Sequence, residues 1–394
     1  MLTSFEAMKA PVIPRFLTQS IRKRFGKDKV LLLFGTRRVG KTYLLRELTK
    51  LHTDALIMKG EDFDVQSLLA NRSAANYNRI IGAHKLLIID EAQAIPDIGF
   101  ILKLMIDTQP GLVILATGSS AFDLHNCTGE PLTGRSFHYL MFPPSVAEQA
   151  NWESQLETMK ALPHRLITGA YPEVLLLADA DEQKEYLREL IQSYLLIDIW
   201  VYEGIKNAHK IMALLRLVAW QIGSEVSYQE LGKQLGLSRA TVESYLDLLA
   251  KVSILFKLPA YTSNQRKEVS KGAKWYFMDN GIRNAVINEF KPLELRNDKS
   301  QLWENFLMAE RRKQHELQQS GVAMYFWRNY NQQEIDLVEV SETGLQAFEF
   351  KYSSEKATKM PAAFASTYPN VPYRMVHQQN YMDWLIDEYS TEFE

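Results

Sequence analysis

Gly35-Thr36-Arg37-Arg38-Val39-Gly40-Lys41-Thr42 decides the fold. The octet satisfies G-x-x-x-x-G-K-[ST] at each fixed position. An apolar run, Val30 to Phe34, precedes it, and a helical pattern opens near Lys41. Glycines let the backbone N–H groups close around phosphate oxygens. The start of the following helix adds partial positive charge. This reading sets Lys41 on the β- and γ-phosphates of a nucleotide and gives the Thr42 hydroxyl to Mg2+. A chance match in a glycine-containing turn is the plain alternative, and the strand–loop–helix context speaks against it.

Working outward, the first third of the chain repeats the pattern. Apolar runs at Ala55 to Met58, Leu86 to Ile89 and Leu112 to Ala116 alternate with polar helical stretches. Runs rich in Leu, Ile and Val on both faces are those of buried parallel strands, so the fold class is α/β. Lys85-Leu86-Leu87-Ile88-Ile89-Asp90-Glu91 is an apolar strand ending in two acids. Asp90 is the expected Mg2+ holder, and Glu91 the expected base that orients and deprotonates an attacking water. Thr117-Gly118-Ser119-Ser120 ends the next strand, with Ser119 and Ser120 as candidate γ-phosphate sensors. Turns are rich in Ser for other reasons. Arg135 is a candidate for stabilising transition-state charge in its own subunit or a neighbour, with a plain surface arginine as the alternative. Arg37 and Arg38 are candidate phosphate contacts or solvated residues.

Composition sets the outer bounds. The chain has 394 residues, enough for two to four domains of roughly 100–200 residues each. An apolar fraction of 46% and a charged fraction of 23% exclude wholesale disorder. A net charge of −2 argues against a uniformly basic nucleic-acid binder and leaves a local basic patch open. Cys127 is the single cysteine, so an intramolecular disulfide framework is excluded. The N-terminal stretch has no apolar signal core, and no run reaches about 18 apolar residues. The expectation is a soluble cytoplasmic protein without a membrane partner.

From about Met141 to Tyr202 the pattern is helical. Ser227-Tyr228-Gln229-Glu230 then fits a capping box opening a helix over Tyr228 to Leu235. Gly236-Leu237 turns the chain, and Ser238 caps a second helix over Arg239 to Lys251. Leu255 to Tyr261 and Lys274 to Met278 read as two strands of a wing, giving a winged helix-turn-helix. Arg239, Thr241 and Ser244 are candidate groove-facing residues, whereas Glu243 and Asp247 repel phosphate. The wing tip is basic, with Arg266, Lys267, Lys271 and Lys274 against Glu268. DNA contact and protein docking both stand as readings.

The last hundred residues open with a helix, Leu302 to Gln314, that carries Glu304. Glu334-Ile335-Asp336-Leu337-Val338 and Gln346-Ala347-Phe348-Glu349-Phe350-Lys351, joined near Gly344, read as a hairpin. Asp336 and Glu349 meet across it, and Glu349 shares a sheet face with Lys351. Two carboxylates and a lysine are the minimum of a metal-dependent phosphodiesterase. Asp336 and Glu349 would hold Mg2+, Lys351 would offset developing charge, and Glu304 is a candidate third acid. An inert salt-bridged face, with Lys351 paired to Asp336 or Glu349, is the more economical reading of these residues alone.

Together these segments resemble the prokaryotic ATPases of the AAA_14/DUF4143 family. The resemblance is carried by the phosphate loop, Ile89-Asp90-Glu91-Ala92-Gln93, Thr117-Gly118-Ser119-Ser120 and Leu132-Thr133-Gly134-Arg135. Further along it rests on Gly169-Ala170-Tyr171-Pro172-Glu173-Val174, Trp303-Glu304-Asn305-Phe306, Glu334-Ile335-Asp336 and Glu349-Phe350-Lys351. It implies an ASCE-type P-loop core, a winged helix and a restriction-endonuclease-like fold at the C-terminus, and with the helical stretch the expected division is a P-loop AAA-type ATPase domain over 1–150, a helical lid over 151–210, a winged helix-turn-helix over 211–290 and a restriction-endonuclease-like domain over 291–394. It also implies a D…E-x-K site at Asp336, Glu349 and Lys351. Ala170 stands where a second glycine is common. Tyr43 follows the loop threonine where a smaller residue is usual, which leaves the nucleotide-binding loop intact.

The functional expectation is a Mg2+-dependent ATP-binding protein, an ATPase coupled to nucleic-acid binding or processing. The alternative is an ATP/ADP-controlled switch acting on a protein partner or a second copy of itself, with a purely structural nuclease-like domain. A small-molecule kinase is a third and weaker reading, because kinases rarely carry a winged helix and a second carboxylate site.

Overall fold

The computed structural model describes residues 13–50, 54–118, 132–195, 208–262, 272–354 and 359–386. The chain forms two compact units, Met1–Pro143 and Pro144–Glu394.

In the first unit the order is α1 (Leu17–Arg22), β1 (Val30–Phe34), α2 (Lys41–Thr49), β2 (Ala55–Lys59), α3 (Phe63–Ala70) and α4 (Ala74–Ile81). It continues with β3 (Leu86–Asp90), α5 (Ile98–Thr108), β4 (Val113–Gly118) and β5 (Ser136–Leu140). Among the described residues these strands make a five-stranded sheet of order β2-β3-β4-β1-β5, parallel throughout. Every residue of β1 is buried, as both faces of a covered parallel sheet require. Val30, Leu32 and Phe34 point into one core with Leu87, Ile89, Ile114 and Ala116. Parallel pairing brings the C-terminal ends of β1, β3 and β4 to one edge, where loops meet at a strand switch. That edge carries the phosphate loop, Asp90 and Thr117.

The second unit begins with α6 (Val146–Glu153), α7 (Gln155–Thr168), α8 (Pro172–Leu176), α9 (Ala180–Glu189) and α10 (Ala208–Trp220). There follow β6 (Glu225–Val226), α11 (Tyr228–Leu235), α12 (Arg239–Lys251), β7 (Leu255–Pro259) and β8 (Ala273–Phe277), with a sheet of order β6-β8-β7. Both α11 and α12 span the residues the sequence assigns them. The Ser227 hydroxyl accepts from Glu230 N, and the Ser238 hydroxyl accepts from Thr241 N. Gly236 between them sits at φ +62°, and Val242, Leu246 and Leu249 turn inward.

The unit closes with α13 (Asn280–Val286), α14 (Lys299–Gln318), β9 (Ala323–Arg328), β10 (Glu334–Ser341), β11 (Gly344–Phe350), α15 (Ala362–Thr367), β12 (Tyr373–Val376) and α16 (Tyr381–Ile386). These strands pair in the order β12-β11-β10-β9. The helix expected over Leu302 to Gln314 is longer, running from Lys299 to Gln318. The hairpin of β10 and β11 forms in the expected register, with Leu337 opposite Phe348. Among the described residues no helix is long and apolar enough to cross a membrane.

Candidate functional site

The phosphate loop runs from the end of β1 into α2. Gly40, at the N-cap of α2, has φ +99°, a left-handed turn that glycine adopts without steric cost. Val39 is fully buried and pins the loop to the core. Lys41 is 6% exposed, and its ammonium donates to the carbonyls of Gly35 at 2.7 Å and Thr36 at 3.2 Å. The lysine thus lies folded over the loop. Thr42 is exposed in the first turn of α2. Arg37 is partly buried and Arg38 exposed, the latter at φ +67°. Tyr43 stacks under the Arg46 guanidinium at 5.6 Å, beside the loop and outside its backbone.

The acids sit at the end of β3. One position beyond the paired Ile89 and Ala116, the Thr117 hydroxyl donates to Asp90 Oδ1 at 2.5 Å. The same hydroxyl accepts from Glu91 N at 3.1 Å. Glu91 has φ 52° and ψ 48°, a left-handed conformation costing about 1–2 kcal/mol for a non-glycine residue. Gly60 N donates to Asp90 O at 2.7 Å, and a Cβ on Gly60 would stand 2.2 Å from Glu91 O. Only glycine lets the end of β2 approach this turn. Gln93 Nε2 donates to Glu91 Oε2 at 2.6 Å and sets its rotamer.

Thr117, Gly60 and Arg15 are contributors that the sequence reading missed. The Arg15 guanidinium donates to Val39 O at 2.8 Å and Phe142 O at 2.6 Å, clamping the loop from the N-terminal side. A polar residue at the end of an apolar strand was the available signal for Thr117. Gly60 and Arg15 act through tertiary proximity and leave no local pattern. Ser119 and Ser120 lie outside the described residues.

Arg135 departs from the expectation of a site residue in its own subunit. Its carbonyl accepts from Val30 N at the first residue of β1, whereas the phosphate loop leaves from the last. About 13 Å of strand separate the two ends. Its guanidinium is ion-paired with Asp107. Arg135 therefore lies on the opposite edge of the sheet from its own nucleotide loop.

A hydroxyl at Thr42 and a carboxylate at Asp90 are the hard oxygen donors that Mg2+ takes, and Lys41 with the α2 N-terminus suits polyphosphate. The donor set fits an ATP–Mg2+ ligand.

The C-terminal acids come together as the hairpin predicts. Asp336 Oδ2 accepts from Phe350 N at 2.7 Å, and Lys351 Nζ lies 2.6 Å from Glu349 Oε1. Burial, with Glu304 and Glu349 nearby, pushes the Asp336 carboxyl well above the usual carboxylate range. Among the described residues no group of three or more His, Cys, Asp or Glu side chains is placed to hold a metal. Lys274 overturns its own reading. It is a wing residue by sequence, yet it is 1% exposed and bonded to Glu304 and Glu334. Arg266, Lys267, Glu268 and Lys271 lie outside the described residues.

Fold and site define the first unit as an ATP-binding domain of the AAA type. Comparison with known families agrees. Residues 27–150 match the AAA domain, 159–293 match a domain of unknown function, DUF8612, and 299–386 match another, DUF4143. The AAA domain and DUF4143 are thus both matched within this one chain. An uncharacterized protein of Methanocaldococcus jannaschii is 24% identical over 82% of this chain and 75% of its own. An uncharacterized protein of Mycobacterium tuberculosis is 25% identical over 85% and 73%. Among solved structures, domain III of the Thermotoga maritima replication initiation protein DnaA covers 56% of this chain and 90% of its own. Its TM-score is 0.30 and its identity 14%.

Proposed function

We propose that the first unit hydrolyses ATP and that the second engages a nucleic acid under control of that cycle. The observation that carries the hydrolytic half is the acid pair at the end of β3. Thr117 fixes the Asp90 carboxylate, while Glu91, in a left-handed turn with its N–H on the same hydroxyl, has its carboxylate held by Gln93. One acid then serves the metal and the other the water.

Thr42 and Asp90 would hold Mg2+, which would supply positive charge to offset that of the phosphates. Lys41 exchanges its carbonyl partners for phosphate oxygens. The loop N–H groups and the start of α2 hold the phosphates in line. Glu91 accepts a proton from the attacking water as the water's oxygen bonds to the γ-phosphorus and the bond to the β–γ bridging oxygen breaks. Gln93 holds Glu91 ready at 2.6 Å. A stabilising role for Arg135 requires a neighbouring copy, since it stands at the far edge of its own sheet. Turnover of Mg2+-ATP by wild type, set beside Lys41→Ala, tests this half. Equal rates contradict it.

The nucleic-acid half rests on α10, β6, α11, α12, β7 and β8, which follow the order of a winged helix-turn-helix. Arg239 and Ser244 are exposed on α12, and Asp247 on the same helix weakens any purely electrostatic grip. Duplex binding measured from low to high salt is the check. The proposal expects a steep loss of affinity, weakened by Arg239→Ala, and binding that is absent at every salt concentration contradicts it.

A further inference from the structure

The C-terminal acids already contain a cation. Lys274 lies in β8, the middle strand of the three-stranded sheet, and its ammonium is 2.5 Å from Glu334 Oε1 and 3.3 Å from Glu304 Oε1. Tyr276, two residues on and therefore on the same face, donates to that Glu304 oxygen at 2.5 Å. Arg328 completes the ring. It lies 3.5 Å from Glu334 and 3.2 Å from Glu225, the residue paired with Lys274 in the β6–β8 register. On the other side Phe350 N serves Asp336, and Lys351 serves Glu349.

Each acid of the expected metal site thus has a partner supplied by the chain. A buried ammonium this close to the carboxylates repels a divalent ion, and low local dielectric makes the repulsion stronger than in water. We propose that Glu304 and Glu334, beside Asp336, form a socket for Lys274, an ion-pair latch. It seats the β6-β8-β7 sheet on the C-terminal sheet and excludes a divalent metal. With the latch closed, the domain is a docking body without Mg2+-dependent phosphodiesterase chemistry. The latch stands independently of the ATP reading, because none of its residues belongs to the first unit.

Manganese binding to the nucleotide-free full chain, counted by the loss of free-ion electron paramagnetic resonance signal, tests it. Wild type and Asp336→Asn should bind the same number of ions. Lys274→Met should gain one ion per chain, and adding Asp336→Asn should remove it. Lys274→Gln, which keeps hydrogen bonds to the acids, provides a second variant, and its melting temperature should rise with Mn2+ where that of wild type does not. The latch is overturned if Asp336→Asn lowers the number of ions bound by wild type, or if a folded Lys274 variant gains none. It is also overturned if wild type with Mn2+ cleaves DNA in an Asp336-dependent way. The wild-type arms decide the matter even where both Lys274 variants fail to fold.

Discussion

The chain carries two sets of acids at strand ends, one per unit, and they differ in what answers them. Asp90 and Glu91 are half-buried and held by a hydroxyl, an amide and backbone groups. Such neutral partners fix direction and leave the charge unspent. Glu304, Glu334 and Glu349 are held by ammonium groups, and Asp336, partly buried, accepts from Phe350 N. There the charge is neutralised from within. Residue type alone does not separate a reactive carboxylate from a structural one. The charge state of its nearest donor does, because a buried ion pair already has what a metal would supply.

The largest effect that probes this contrast is at the phosphate loop. Removing one positive donor from a phosphate site costs on the order of 10²–10³ in rate, so Lys41→Ala should lose ATP turnover by that factor while keeping the fold. Far-ultraviolet circular dichroism with a steady-state phosphate assay checks both. A folded variant with wild-type turnover breaks the contrast at its root.

On the structural side stands Glu339, which Arg311 meets at 2.6 Å and 2.8 Å and His315 at 2.7 Å. Burial would raise its carboxyl, but Arg311 and His315 win and bring it down to about 2, from 4.5. A carboxyl depressed on folding stabilises the native state above pH 4.5, and the gain fades as pH falls toward 2. A shift of this size corresponds to about 3 kcal/mol. Urea unfolding of wild type should weaken between pH 5 and 3, and Glu339→Gln should be destabilised by about 3 kcal/mol at pH 7, with a flatter acid limb. Identical acid limbs would show that the second unit's buried acids are not structural in this way.

Thr117→Val removes the hydroxyl shared by Asp90 and Glu91 without changing volume. One hydrogen bond to a charged group contributes about 1.5–3 kcal/mol, so turnover should fall by about 10- to 100-fold, with ATP affinity less affected. Unchanged turnover would mean that the acids orient themselves. The smallest effect is at Ser238→Ala, which deletes the cap of α12 at a cost of about 1 kcal/mol in unfolding free energy. It should leave ATP turnover alone. A loss of turnover there would tie α12 to the nucleotide site.

Much of this was legible in the sequence where function depends on fixed local spacing. The octet at 35–42, the acids at 90 and 91, and the limits of α11 and α12 are all patterns within a few residues. The Asp336–Glu349 meeting was legible through strand alternation across one short turn. Thr117 and Gly60 act on residues about 30 positions away, and only the β2-β3-β4 register reveals them. Lys274 misled for a physical reason. A lysine after a basic stretch reads as solvent-facing, and only its place in the central strand, on the face of Tyr276, turns it inward. Arg135 stayed open between its own subunit, a neighbour and a plain surface role, because a linear motif does not say at which end of a parallel sheet it falls.

The central claim is that the acids at the end of β3 do the chemistry. Glu91→Gln keeps the shape of the site and removes the base. ATP binding and single-turnover hydrolysis, measured on the same preparation, test it most directly. The account predicts binding within about 3-fold of wild type and hydrolysis slowed by about 10²–10⁴, the usual contribution of a general base. Wild-type hydrolysis by Glu91→Gln would contradict it.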